Sequence, residues 1–392
     1  MRIALIGPFG FGPRGTVQVR TLPLARELAA RGHAVTLLMA PFHTPQEGAR
    51  RREQDGVALE TVAVSRLPLL GYWLTAGRLA RRARVWRPDV IHGFKPKAYS
   101  GLALWLLWWR NRVGRSVPLI VDSDDWEGWG GWNELAPYSW PQKVFFAWQE
   151  RWGLTHAHAV TVASRHLETI VWSLGVPPGR VVYVPNGPGA PAPTAGERGQ
   201  VRAQGERDGV PVILLYTRFF EFDPGRVVRA LASVRRSVPA ARLQVVGTGL
   251  AGEEEAFHRA VAAAGLAGAV DDAGWVEPER LPACFAAASC AIYPFDDTLV
   301  NRTKCPVKLA DLLAAGVPVV AEDVGQAGEY IEPGRSGLLV PPGDEAALAA
   351  GVVRLLQDPA LRAELSAGAR RRIEERFTWS RLAADLERAY QL

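Results

Sequence analysis

The feature that most constrains this chain lies near its C-terminal end, over residues 301–344: NRTKCPVKLADLLAAGVPVVAEDVGQAGEYIEPGRSGLLVPPGD. Leu309, Leu312 and Leu313 recur at helical spacing, so this part is expected to be a helix. Gly316 stops that helix and Pro318 cannot continue it. Residues 317–321 are continuously apolar and largely β-branched, the pattern of a strand buried on both faces of a parallel sheet. A helix that delivers the chain into such a strand belongs to a doubly wound α/β sheet, where ligands sit at the carboxyl ends of strands. Arg302, Lys304 and Lys308 stand in the loop at the helix start. Free backbone N–H groups and cations there would suit a phosphate.

Length and charge set the frame. With 392 residues and 48% hydrophobic content, the chain has room for two buried cores. Its net charge of +6 and pI near 9.4 favour anionic partners. Only five basic residues are lysine (Lys95, Lys97, Lys143, Lys304 and Lys308), so most of the arginine excess reads as genome composition or a hot habitat. No aromatic–basic interleaving on a strand surface suggests nucleic acid. Cys284, Cys290 and Cys305 show neither metal spacing nor a disulfide framework, which fits a reducing cytoplasm. The opening MRIALIGPFG reads as a strand entering a glycine loop rather than as a signal peptide.

In chain order, residues 2–6 form a first strand, GPFGFGPRGTVQVR a glycine-rich loop, and a helix from about Thr16 closes at Gly32 before a strand over 34–39. The glycines lack dinucleotide spacing and no acid ends the second strand, which argues against NAD. Residues 56–64 give another strand. Residues 69–87 give a helix whose Arg78, Arg81, Arg82, Arg84 and Arg87 form a solvated face. RPDVIHGF supplies the next strand, and His92 reads either as an acceptor-facing group or as a structural histidine. The run GLALWLLWW over 101–109 is far shorter than the ~20 residues that span a bilayer. It reads as a core helix, with a monotopic membrane contact as the alternative because Arg110, Arg112 and Arg115 follow it.

A strand over 119–121 then ends in DSDDWEGWGGWNE. Clustered aspartates suit a divalent cation. Carboxylates among indole rings also suit sugar hydroxyls and sugar C–H faces, and a loop at a strand's carboxyl end reaches toward ligand. We read Asp122, Asp124, Asp125 and Trp126 as acceptor-binding and expect no metal. His156 and His158 alternate as zinc ligands do, but no further Cys or His cluster joins them. The Pro/Gly-rich polar stretch after residue 188 is the linker. The second half opens with a strand over 211–216 and Arg218 at its carboxyl end, then carries a glycine turn at 247–249 and Gly274-Trp275-Val276.

AAGVPVV, VGQAGEYI and GRSGLLVPPGD together resemble the donor-site segment of the retaining family 4 glycosyltransferases. The likeness extends along most of the chain, through the glycine loop, RPDVIHGF, Pro185-Asn186-Gly187, Arg218 and the FTWSRL start of the last helix. It implies an α/β fold of the GT-B type: two Rossmann-like doubly wound parallel-sheet domains facing an interdomain cleft. The boundaries expected are 1–188 for the acceptor-side domain, 189–209 for the linker, 210–372 for the donor domain and 373–392 for a helix crossing back. The implied reaction is retaining, hexosyltransferase-type transfer from a UDP- or GDP-sugar to a glycan, lipid-linked or small-molecule hydroxyl. The nucleotide sugar is co-substrate and no cofactor is implied. Arg218, Lys304, Lys308 and Asp311 would serve the chemistry. Gly15, Thr16, Gly247, Gly249, Trp275, Val276, Thr303, Cys305, Pro306, Val307 and Glu329 would bind the donor. Asp311 stands at the family's second glutamate, Thr303 at the first, and Asp223 at a usual lysine. A cytoplasmic enzyme touching the membrane's inner face fits the basic, Trp-rich first half. The other readings are a nucleotide-sugar epimerase or hydrolase and a non-catalytic sugar-nucleotide or glycan-binding protein of the same descent.

Overall fold

The strands of this chain do not alternate between buried and exposed residues. The first, β1 (Arg2–Gly7), has five consecutive buried positions, and the strand Val319–Glu322 has four. Such runs require cover on both faces, which parallel sheets obtain from crossover helices. The computed structural model describes residues 1–12, 15–67, 70–194, 196 and 210–392. Residues 13–14 of the glycine-rich loop, 69 of the second predicted helix, and most of the expected linker, at 195 and 197–209, lie outside the described residues. The chain forms two compact units. The first comprises Met1–Asn186, Thr303–Cys305 and Trp379–Leu392; the second comprises Gly187–Arg302 and Pro306–Thr378.

In the first unit, β1 is joined by β2 (Ala34–Met39), β3 (Arg51–Gln54), β4 (Val57–Thr61), β5 (Val90–Phe94), β6 (Leu119–Ser123), β7 (Ala159–Val162) and β8 (Val181–Tyr183). Their order in the sheet is β3-β4-β2-β1-β5-β6-β7-β8, and all neighbours are parallel except the β3–β4 pair. That hairpin was not anticipated, because β3 reads RREQ and is mostly exposed. A π-helical turn, Val17–Thr21, precedes α1 (Leu22–Ala30). The helices α2 (Leu70–Val85), α3 (Ala98–Asn111), α4 (Trp140–His156) and α5 (Arg165–Ser173) follow. One face of the sheet packs Ile3, Leu5 and Leu37 against Leu24 and Leu28 of α1 and Leu382 and Leu386 of the C-terminal helix, Trp379–Ala389. The other face packs Ala4 and Ile6 with Leu79 of α2, Leu104 and Leu107 of α3, and Leu154 of α4.

In the second unit β9 (Val212–Tyr216), β10 (Arg242–Val246), β11 (Val270–Asp272), β12 (Cys290–Tyr293), β13 (Val319–Glu322) and β14 (Leu338–Val340) lie in the order β11-β10-β9-β12-β13-β14. This is the 3-2-1-4-5-6 order of a doubly wound sheet, and its direction reverses between β9 and β12. The helices used below are α6 (Pro224–Ser237) and α7 (Val307–Ala315). As the sequence indicates, α7 ends at Gly316, which takes the left-handed conformation at φ 73°.

The C-terminal helix belongs wholly to the first unit's core, and Leu386 is fully buried there. Leu386→Ala should destabilise that unit by about 2–5 kcal/mol, the usual cost of a buried Leu→Ala cavity. Urea unfolding followed by circular dichroism would measure it, and an unchanged midpoint would mean the helix is not part of that core.

Candidate functional site

In the second unit, two cations converge where the sheet reverses. Arg218 follows β9 by two residues, and its guanidinium side chain is 38% exposed. Phe219, next to it, is held at φ 65°, a strained conformation for a residue with a side chain, which turns the chain sharply after Arg218. Glu221 lies 3.6 Å from the Arg218 guanidinium and accepts its backbone N–H at 3.3 Å. Lys308, in the first turn of α7, places Nζ 3.3 Å from the centre of the Tyr216 ring, the last residue of β9. Behind them Gly247 takes φ 129°, and a Cβ there would lie 1.9 Å from the Thr217 carbonyl. Only glycine lets the end of β10 approach so closely.

Asp311, one turn further along α7, is buried, and its Oδ1 accepts N–H bonds from Gly189 at 2.6 Å and Ala190 at 2.9 Å. Burial pushes its carboxyl up to about 6, although the Ala190 and Gly189 N–H groups and Lys308 pull it back. Glu322, also buried, holds Arg226 at 2.8 Å and accepts N–H bonds from Phe295 at 2.7 Å and Gly343 at 3.0 Å, tying α6 and two loops to the end of β13. No sequence signal singled out Glu322, Arg226 or Tyr216. Each stands in an apolar or helical run that carries no motif.

In the first unit, the carboxyl ends of the central strands hold a buried polar chain. Arg20, from the π-helical turn, grips Asp122 of β6 with Nε at 2.8 Å and Nη2 at 2.6 Å, and both side chains are fully buried. Its Nη1 donates to the Val184 carbonyl at 2.8 Å and to Asn186 Oδ1 at 3.0 Å. The Thr161 hydroxyl donates to Asp122 Oδ1 at 2.5 Å, so its oxygen accepts from His92 Nε2 at 3.1 Å. His92 Nδ1 is thereby left to accept from the Tyr390 hydroxyl at 3.1 Å. Burial pushes His92 down to about 4, which keeps the ring neutral in this chain of bonds.

The Asp–Trp loop is likewise internally paired. Lys95, held in a strained backbone at φ 46°, lies 3.0 Å from Asp124, 3.1 Å from Asp125 and 3.3 Å from Glu127. Lys97 takes the other Glu127 oxygen. The Thr16 hydroxyl donates to Asp124 Oδ2 at 3.1 Å, so the glycine-loop residue Thr16, next to the exposed Gly15, meets the acidic loop directly. Lys95 and Lys97 escaped the sequence reading, although their place after β5 was the available signal. Among the described residues, no group of three or more His, Cys, Asp or Glu could hold a metal ion.

The expected site residues therefore separate. Asp122, read as acceptor-binding, is fully buried with both oxygens engaged, and His92 is fully buried and bonded through both nitrogens, which fits the structural one of its two readings. Asp124 is buried beside Lys95, Asp125 is half-buried, and Trp126 donates its indole N–H to the Trp129 carbonyl at 3.0 Å. The expected phosphate loop is divided. Thr303, Lys304 and Cys305 belong to the first unit and are buried, while Pro306, Val307 and Lys308 belong to the second. The Thr303 carbonyl accepts from Ser164, Cys305 Sγ accepts from the Asn186 N–H, and Lys304 Nζ lies 5.9 Å from the Trp132 ring centre. Trp275 is exposed after β11, Val276 is half-buried, and Gly249 donates its N–H to Glu254. Glu329 is half-buried in the short helix Ala327–Tyr330. Asp223 caps α6 by accepting the Gly225 N–H at 2.9 Å.

Residues 15–187 match the family model described as a glycosyl transferase 4-like domain, and residues 211–358 match that of glycosyl transferases group 1. The D-inositol 3-phosphate glycosyltransferase of Acidothermus cellulolyticus is 32% identical over 396 residues, covering 92% of this chain and 82% of its own. The phosphatidyl-myo-inositol mannosyltransferase of Mycobacterium leprae is 29% identical over 411 residues, covering 100% and 96%. Among solved structures, sucrose-phosphate synthase from Thermosynechococcus elongatus superposes with a TM-score of 0.75 at 21% identity, covering 100% and 98% of the two chains. HepE of Anabaena in complex with UDP-glucose gives 0.70 at 19% identity, covering 100% of each.

Two outcomes are expected. Asp122→Asn should weaken the first unit by about 3–5 kcal/mol, the cost of leaving a buried guanidinium without its carboxylate; a residue serving acceptor alone would leave urea stability unchanged. Asp311 has a folded-state pKa above its usual 3.8, so the fold favours its neutral form and its contribution to stability falls as pH rises from about 4 to about 6. At about 1.4 kcal/mol per unit this is on the order of 3 kcal/mol. Asp311→Asn keeps an acceptor oxygen and should flatten that part of the stability–pH profile. A profile identical to the parent's would refute the raised carboxyl.

Proposed function

Because the chain belongs to glycosyltransferase family 4 and has the GT-B fold, we propose that it moves a sugar from a nucleotide diphosphate donor to an acceptor hydroxyl, with retention at the sugar carbon. The observation that carries this reading is that Lys308 Nζ lies over the Tyr216 ring and Arg218 stands two residues beyond that strand end, where the second sheet reverses. A ligand crevice lies outside strand ends at such a point, and paired cations there suit a diphosphate. The first backbone N–H groups of α7 add positive potential from the same side as Lys308. Gly247 keeps a side chain away from the neighbouring strand end, and Trp275 offers a ring for the base.

In this mechanism the bond from the sugar carbon to the diphosphate oxygen breaks, and Arg218 and Lys308 stabilise the charge that develops on that oxygen. The acceptor hydroxyl bonds to the carbon from the face the diphosphate leaves, and its proton passes to a departing phosphate oxygen. The reading needs no metal and no cofactor. HepE of Anabaena is bound to UDP-glucose, and inositol compounds appear in the relatives' names. Both support a UDP- or GDP-sugar donor and a polyol or lipid-linked acceptor presented at the inner face of a membrane. A non-catalytic binding protein is the second reading. It is favoured by Thr303 at the first glutamate position and by Asp223, which caps α6 and pairs with Arg229 where a lysine is usual.

A thermal-shift panel of UDP-, GDP-, ADP- and dTDP-sugars, with and without EDTA, tests the reading. One donor class should raise Tm, EDTA should not matter, and Arg218→Ala should lower kcat/KM by about 10²–10³. An EDTA-sensitive shift would restore the metal alternative. A donor shift without sugar transfer would leave the binding protein.

A further inference from the structure

The tryptophans of the first unit are not scattered. Six of them form one continuous chain of ring contacts across three helices. Trp73 of α2 meets Trp105 of α3 at 5.6 Å, Trp105 meets Trp109 at 5.9 Å, and Trp109 meets Trp108 at 5.2 Å. Trp108 meets Trp152 of α4 at 5.4 Å, and Trp152 meets Trp148 at 6.4 Å. The core takes up only part of this chain: Trp108 packs against it. α3 buries Leu102, Ala103, Leu104 and Leu107, whereas Trp73, Trp109 and Trp148 remain 45%, 49% and 43% exposed. Leaving three indoles in water costs free energy unless something covers them.

Charge identifies the cover. α2 carries Arg78, Arg81 and Arg84, α3 carries Arg110, and α4 carries Arg151, while Arg82 and Lys143 are paired with Glu60 and Glu134. The only acidic residue in the three helices is Glu150, which is fully buried under the Glu127 backbone and Ser123. A second copy of this chain would present the same cations and be repelled. An acidic bilayer surface would not. Indole rings prefer the headgroup level, where an apolar body meets a wet edge, and arginines beside them reach lipid phosphates. Arg112 already stacks on Trp108 at 3.2 Å from the ring centre, pairing cation and indole within the same face. Among the described residues no helix is long and apolar enough to cross a membrane, so this face would lie on a bilayer rather than span it.

We propose that the α2–α3–α4 face of the first unit docks on the surface of an anionic bilayer, with Trp73, Trp109 and Trp148 at headgroup depth and Arg81, Arg110 and Arg151 on lipid phosphates. This does not rest on the transfer chemistry, and its test reads binding alone. The full chain is sedimented with phosphatidylcholine vesicles containing roughly a third phosphatidylglycerol, and with phosphatidylcholine alone, at about 50 mM and about 500 mM salt. Binding should require phosphatidylglycerol, fall with salt, and weaken at least about tenfold in the triple variant Trp73→Ser, Trp109→Ser, Trp148→Ser. The triple variant Arg81→Gln, Arg110→Gln, Arg151→Gln keeps every ring and should weaken it by a similar factor. It decides the matter if the tryptophan variant fails to fold by circular dichroism. Sedimentation of both folded variants like the parent, or none by the parent at low salt, overturns the proposal. Gel filtration showing a parent dimer that the tryptophan variant lacks, without vesicle binding, would also overturn it in favour of a protein interface.

Discussion

The buried pair of Arg20 and Asp122 is the interaction on which the carboxyl ends of the first unit's central strands depend. Removing two charges from water is expensive, and their attraction repays it only when every remaining donor and acceptor is satisfied. Here that condition is met by residues from many elements. The π-helical turn supplies Arg20, β6 supplies Asp122, β7 supplies Thr161, β5 supplies His92, and the chain after β8 supplies the Val184 carbonyl and Asn186. The fixed guanidinium geometry therefore sets how the strand ends line up, and the neutral His92 passes that constraint on to Tyr390. The pair is a register pin more than a source of net stability.

The two sheets use charge in opposite ways at equivalent places. In the first unit Asp124, Asp125 and Glu127 of the Asp–Trp loop face Lys95 and Lys97, so most of the loop's charge is balanced. In the second, Glu221 flanks Arg218 and Asp311 is turned onto backbone N–H groups, so positive charge accumulates beside Tyr216. An anionic ligand gains from the second arrangement and little from the first. That contrast supports the second unit as the side of the proposed diphosphate site.

Much of this was readable in the sequence, for physical reasons. The stop at Gly316 and the buried strand after it depend on local φ and on apolar runs, which residues declare directly. Arg218 was legible because a strand's carboxyl end follows from the run that precedes it. Asp122 was read as acceptor-binding and His92 was left open, because pattern shows that a polar residue sits at a strand end and cannot show that Arg20 and Thr161 wait beside it. Lys95 and Lys97 were missed for the converse reason: their partners lie in a distant loop. The run 101–109 was read as core or as membrane-facing, and the helix is built with a leucine face turned inward and a tryptophan edge left outside.

The C-terminal helix has a consequence for how the chain is made. The first unit's core includes Leu382 and Leu386, and its polar chain ends at Tyr390. A ribosome emits residues 1–186 first and these last, with the whole second unit between them. At roughly 5–20 residues per second, the early sheet waits on the order of ten seconds or more for the helix that completes it. During that interval its α1 side stays uncovered, so the second unit is free to fold first although it is synthesised later. Stalling or trimming within the last helix would act as an early fault in the unit that began the chain.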